Sequence, residues 1–256
     1  MTELAALSVL INGDSSGLKA AITSSVGLVH NVVAWLHTTS KLYERLCLSS
    51  ILAYISTRRE EDMPNEPHDV TLTPAVDRII ASLAHVMTDA RARGRDVSQY
   101  DLVKTLFLAD RAHLNAWGRP ITYDNYCAMK HGPVPSLAYD LLKGNEKSLK
   151  DHKIQSLPWS ATEAGNGVRH YSPVEGAQDH QDALSESDVE ALNDALTTVL
   201  QLGFSQIRRL THEDPAYVEA WRDDGDRAAY NMKLGLMFEE PDFDRAATIA
   251  EYSPYV

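Results

Sequence analysis

SQYDLVKTLFLADRAHLNAWGRPI, residues 98–121, decides the fold. Ser98, with Asp101 three residues on, is close to a capping box, which gives acceptors to the N–H groups that a first helical turn leaves unpaired. Val103, Leu106, Phe107, Leu114 and Trp117 follow at helical spacing, and Gly118 stops the run. With Val103 at zero and about 100° per residue, these five fall within about 50° of one direction. Asp110 falls at about 340°, in the middle of the stripe, and His113 at about 280°, on its border. A carboxylate on a core-facing stripe is expensive unless something pairs with it. Asp110 is therefore expected to have a cationic or multi-donor partner, and Asp110→Ala to cost about 3–5 kcal/mol, the scale of a broken buried pair.

The best partners lie just downstream, in Gly118-Arg119-Pro120-Ile121 and in Met129-Lys130-His131-Gly132-Pro133-Val134-Pro135. The second stretch is the most constrained in the chain. Pro133 and Pro135 fix two φ angles and push their predecessors extended, and Gly132 permits a tight bend. Such a stretch holds Lys130 and His131 in a fixed direction. Three readings of Asp110, His113, Lys130 and His131 stand side by side. They form a polar tie between a helix and a loop, they shape a binding groove, or Asp110, His113 and His131 form a metal or catalytic site. The spacing matches no strong metal motif such as HExxH, so no metal and no cofactor is expected. GxSxG, P-loop and GxGxxG patterns are absent.

Outward from this stretch the sequence reads as helices with marked ends. Thr73-Pro74 is read as an N-cap with proline at the first helical position, opening a helix over 74–93 that Gly94 ends. Ser136 to Lys143 is a short helix closed by Gly144. Ser185 with Asp188 caps a long helix ending at Gly203, Ser205 starts a short one, Asp214-Pro215 starts the next, and 243–251 form the last. Residues 145–184 have no helical period. Asn166-Gly167, flanked by Trp159 and Val168-Arg169-His170-Tyr171, signals a hairpin, and Tyr123 to Met129 reads as a further strand. Trp117, Trp159 and Trp221 are assigned to the core. The acidic region Asp179 to Asp194 is read as a solvated helix face. The fold class is mainly α: a compact helical domain with a small antiparallel sheet or hairpin, plus an N-terminal helical extension.

The 256 residues carry a net charge of −12. That argues against general nucleic-acid affinity, which needs a basic patch to displace counterions, and against an anionic membrane surface. It favours solubility and steering toward a basic protein partner. Residues 1–59 differ from the rest, with a net of +2 against −14 for the remainder. Within them, Ala20 to Leu36 is too short and too interrupted for a spanning helix. The segment reads either as a pair of helices near 18–37 and 40–57 or as a translated upstream region with Met63 as the start. A polar, proline-bearing stretch follows. The domain reading is an extension over 1–62, a linker over 63–73, a domain over 74–238 and a tail with a short helix over 239–256. Two cysteines, Cys47 and Cys127, with no CxxC, suit a reducing compartment such as the cytoplasm.

LVKTLFLADRAHLNAWGRPI (102–121) followed by AMKHGPVPS (128–136) resembles the Panacea domain, the SocA-like antitoxin domain of bacteria and phages. LSESD (184–188) and LTHEDP (210–215) look like its C-terminal half, so the resemblance covers about residues 75–225. It implies a mostly helical antitoxin that neutralises a co-encoded toxin by direct binding. An adaptor delivering the toxin to a protease and an enzyme with an Asp/His site are the other readings. Asp110, His113, Gly118, Arg119, Pro120, Lys130, His131, Gly132, Pro133 and Pro135 carry over as motif positions, for partner binding or scaffold, with no chemical role attached to any.

Overall fold

The computed structural model describes residues 70–165, 167–176 and 181–256. The expected extension over 1–62, its helices and most of the linker lie outside the described residues. Among those described are seven α-helices and six short strands. The fold is mainly α with small antiparallel sheets, as its sequence indicates.

Helix α1 spans Val76–Ala92. Its cap is Ala75, which makes no side-chain capping bond, so Thr73 is not the N-cap and Pro74 precedes the helix. The Ala75 N–H donates to the Thr122 carbonyl, which ties the start of α1 to the chain after α2. The two-residue strand β1 (Val97–Ser98) leads into α2 (Gln99–Trp117). Here the cap is as read. Ser98 accepts from the Asp101 N–H, Asp101 accepts from the Ser98 N–H, and Gly118 closes the helix at φ +80°.

Strands β2 (Tyr126–Met129) and β3 (Gly132–Pro135) form a hairpin that leaves only Lys130 and His131 in the loop. Neither of these has a positive φ; the left-handed position falls on Gly132, at +100°. Helix α3 (Ser136–Lys143) ends at Gly144, and α4 (Glu146–Asp151) follows. The α4 turn contradicts the reading of 145–184 as free of helix. Asn145 nucleates it by accepting from the Lys147 and Ser148 N–H groups, and six residues are too few to show a period. Strands β4 (Trp159–Glu163) and β5 (Arg169–Pro173) pair antiparallel about the expected turn.

Helix α5 (Glu186–His212) opens with the Ser185–Asp188 capping box and is broken at Gly203, whose φ of 67° and ψ of 177° are not helical. The sequence signals for a stop at Gly203 and a restart are thus both real. Helix α6 (Pro215–Ala220) has Asp214 as cap and proline at its start. Strand β6 (Ala229–Asn231) and α7 (Phe243–Tyr252) complete the chain. The sheets have strand orders β1-β5-β4 and β3-β2-β6.

Two apolar cores share α2. Leu102, Val103, Leu106 and Ala109 pack with α1, α3, α5 and the first sheet. Phe107 and Leu114 pack with Tyr126, Tyr217, Met237, Phe238 and the α7 residues Ala246 and Ile249. The segment before α1 is built into this second core: Leu72 is buried, and the Thr73 N–H donates to the Ser253 hydroxyl. Residues 70–73 and 243–253 are accordingly integral to the domain, outside the 74–238 bounds read from sequence. Trp159 is buried and Trp221 half-buried, but Trp117 is 64% exposed, contrary to its core assignment. It is the last helical residue, where the stripe has run past the core, and its ring stacks on His113.

Candidate functional site

The motif residues fall into three clusters. The first is built around Asp110, which is fully buried. One carboxylate oxygen accepts from the backbone N–H of Ile121 (2.7 Å) and of Thr122 (2.9 Å). The other accepts from the Thr122 hydroxyl and from the Tyr126 hydroxyl, the latter at 2.7 Å. The partner is thus multi-donor and uncharged. Lys130 and His131 are exposed at the hairpin tip and do not reach Asp110. Burial pushes the Asp110 carboxyl above the ordinary carboxylate range, against the pull of the four donors. Burial and the Asp110 charge raise the Tyr126 phenol far above its usual value, so it remains a donor.

Asp124, which sequence reading passed over, extends this cluster. It is buried and accepts from the Leu137 and Ala138 N–H groups at the start of α3. Pro135, the cap residue of α3, has no side-chain acceptor, so the helix takes one from 12 residues upstream. Burial raises the Asp124 carboxyl to about 7. The missing cap in Val134-Pro135-Ser136 was the one signal available.

The second cluster centres on Asp188, buried at the start of α5 rather than on a solvated face. Arg78 of α1 pairs with it at 2.7 Å, and Arg119, just after α2, at 3.0 Å. His113 Nε2 lies 3.2 Å from the same carboxylate and 3.1 Å from the Ser187 hydroxyl. His113 Nδ1 faces the Arg119 carbonyl at 2.9 Å; a carbonyl only accepts, so Nδ1 carries a proton. Burial pushes the Asp188 carboxyl up, but hydrogen bonds from Ser185 and then the charge of Arg78 outweigh it and hold the carboxyl below its usual range. Gly118, at φ +80°, turns the chain before Arg119, whose guanidinium also donates to the Pro120 carbonyl.

The third cluster joins the hairpin to α2 through Lys104. This lysine lies outside the apolar stripe, yet it is 1% exposed. Its ammonium donates to the Pro133 carbonyl at 2.6 Å and lies 5.3 Å from the centre of the Tyr100 ring. Burial lowers its pKa to about 7. A Cβ at Gly132 would come within 2.9 Å of this ammonium and 2.7 Å of the Thr211 hydroxyl. Gly132 is therefore required both by its φ and by the approach of Lys104. Pro133 supplies the acceptor, and Pro135 leads from β3 into α3.

Asp110, His113 and His131 thus belong to separate clusters. Among the described residues no group of three or more His, Cys, Asp or Glu side chains is placed to hold a metal ion. No helix there is long and apolar enough to cross a membrane.

The outer face of α2 is unlike its buried faces. Leu108, Ala112 and Ala116 form a ridge between two grooves of about 670 and 500 Å³. Leu210, 43% exposed, lines one and Trp117 the other. Glu213 and Glu239 edge the first groove, and Glu190 and Asp194 the second.

Fold and motif together define a mainly helical domain whose signature residues hold its framework and leave an apolar ridge open. Residues 102–217 match the family described as "Antitoxin SocA-like, Panacea domain". Neither the curated proteins nor the solved structures give a match.

Proposed function

We propose that this protein is the antitoxin of a bacterial toxin–antitoxin pair, acting in the cytoplasm by binding its toxin and carrying out no reaction of its own. The family match over residues 102–217 carries this reading. The surface supports it. The Leu108–Ala112–Ala116 ridge, with Trp117 and Leu210 beside it, is an apolar strip rimmed by Glu190, Asp194, Glu213 and Glu239. An apolar centre inside an acidic rim suits a basic protein partner, because rim charges speed encounter while the centre supplies affinity. The toxin is assigned to this strip.

The test is expression of the gene adjacent to this one, alone and together with this protein. Growth should stop in the first case and resume in the second, with the two proteins co-purifying. Ala112→Arg, on the exposed ridge, should abolish both rescue and co-purification while leaving the melting temperature within about 2 °C of wild type, as expected of a surface change. A neighbour harmless on its own sinks the antitoxin reading. Rescue by Ala112→Arg at full strength removes the ridge as the contact surface. Loss of toxin, rather than its accumulation in an inactive complex, would place the protein as an adaptor to a protease.

A further inference from the structure

On a different side of α2, with no lining residue in common with the two grooves, lies a cavity of about 450 Å³. Its walls combine two kinds of group. Tyr100, Val103, Val134, Tyr139 and Trp221 give flat and aliphatic surface, while Lys104, Lys130, His131 and Arg227 bring positive or protonatable nitrogen. No carboxylate is among the described residues that line it, in a chain whose net charge is −12.

Two buried donors there have hydrogens to spare. Lys104 has three ammonium hydrogens and, among the described residues, one hydrogen-bond acceptor, the Pro133 carbonyl. Gln99 Nε2 is buried with no hydrogen-bond partner among the described residues. A buried ammonium with no carboxylate beside it is costly to keep, and buried donors are ordinarily satisfied. Burial lowers the His131 imidazole, and the charges of Arg208, Lys130 and Lys104 lower it further. The field inside the cavity is therefore positive, and its unmet hydrogen-bonding capacity is donor capacity.

We propose that this cavity binds a small organic anion, its carboxylate or phosphoryl head on Lys104 and Gln99 and its flat apolar body against Tyr100, Tyr139 and Trp221. An anionic head supplies an acceptor to Gln99 and a second one to Lys104, and bonds to a charged group are about twice as strong as neutral ones. The aromatic walls exclude water around the head, and Lys130 and Arg227 at the exposed rim draw the anion in.

The experiment is calorimetric titration of the purified full-length chain at low salt with benzoate, phenyl phosphate, benzyl alcohol and inorganic phosphate. Benzoate or phenyl phosphate should saturate with Kd of about 1 mM or tighter, a reasonable scale for about ten heavy atoms. The stronger of the two identifies the head group. Benzyl alcohol, without charge, and inorganic phosphate, without a body, should each bind at least about tenfold more weakly, the loss expected when a charged hydrogen bond or a packed ring is missing. The exposed double variant Lys130→Ala/Arg227→Ala should weaken the best probe several-fold while remaining folded, and Lys104→Met should weaken it about tenfold or more. Absence of saturable binding by both aromatic anions overturns the proposal. So does equal binding of benzyl alcohol, or binding unchanged in the exposed double variant.

Discussion

Asp110 and Lys104 are charges of opposite sign buried on one helix, and the protein treats them differently. Asp110 is ringed by four donors, so removing its carboxylate strands two buried N–H groups and two hydroxyls. At about 1–3 kcal/mol for each stranded donor, with partial relaxation, Asp110→Ala should cost about 3–5 kcal/mol. Tyr126→Phe removes one donor and leaves its acceptor served by three others, so about 1 kcal/mol is expected. Urea unfolding of both variants checks the ranking; an unchanged midpoint for Asp110→Ala would contradict it. Lys104 has no such ring and stores instability. Its pKa falls from 10.5 in the unfolded chain to about 7 in the folded one, so between these values the unfolded state holds more protons. Stability assigned to this residue therefore rises with pH from about 7 to about 10, by at most about 1.4 kcal/mol per unit, and is flat below that window. In Lys104→Met the rise should disappear, measured as the difference between wild-type and variant unfolding free energies across that range. A parallel pair of pH profiles would show that Lys104 keeps its ordinary pKa.

At the scale of elements, the sequence was readable where the structure solves a problem locally. The Ser98–Asp101 and Ser185–Asp188 boxes, the Asp214-Pro215 start and the Gly118 and Gly144 stops all stand within a few residues of the groups they serve. Elements tied at their starts to distant residues were misread or unexplained. Helix α1 has its cap two residues past Thr73, where the Ala75 N–H is held by the Thr122 carbonyl, and α3 takes Asp124 as its cap. Helical periodicity located α2 and the buried Val103, Leu106, Phe107 and Leu114, but not the full extent of burial. Leu102 to Phe107 are buried without a break, because α1, α3, α5 and the hairpin enclose the first half of the helix. A single apolar stripe describes a helix lying on a surface, so it carries no signal that Lys104 is buried. It did locate Asp110, since a carboxylate inside the stripe is anomalous under any packing. The constraint in His131-Gly132-Pro133 was equally visible, but its purpose was not. It accommodates the Lys104 ammonium, and nothing in the spacing from 104 to 132 announces that contact.

For the molecule as a whole, the Asp188 cluster closes the chain on itself. It gathers α1 through Arg78, α2 through His113, the turn after α2 through Arg119 and the start of α5, across a sequence separation of 110 residues between Arg78 and Asp188. A solvated acidic face, the reading its composition invites, would contribute little; surface ion pairs have a median worth of about 0–1 kcal/mol. Here the carboxylate is buried, while the side chains of Arg78 and Arg119 are 16% and 32% exposed, so water compensates part of what they lose if it is removed. Asp188→Ala also deletes half of the α5 capping box. Discounting the value for a fully buried pair accordingly, the substitution should cost about 3 kcal/mol, against less than about 0.5 for the exposed Asp194→Ala six residues on. The pH dependence has a definite sign. The folded pKa lies below the unfolded 3.8, so the stabilisation is full above about 3.8 and is lost as pH falls through the lower folded value. Unfolding free energies of wild type and Asp188→Ala should therefore converge toward acid pH and stay separated by a constant amount near neutrality. Equal urea midpoints for Asp188→Ala and Asp194→Ala at neutral pH would show that the cluster is not what holds α1, α2 and α5 together.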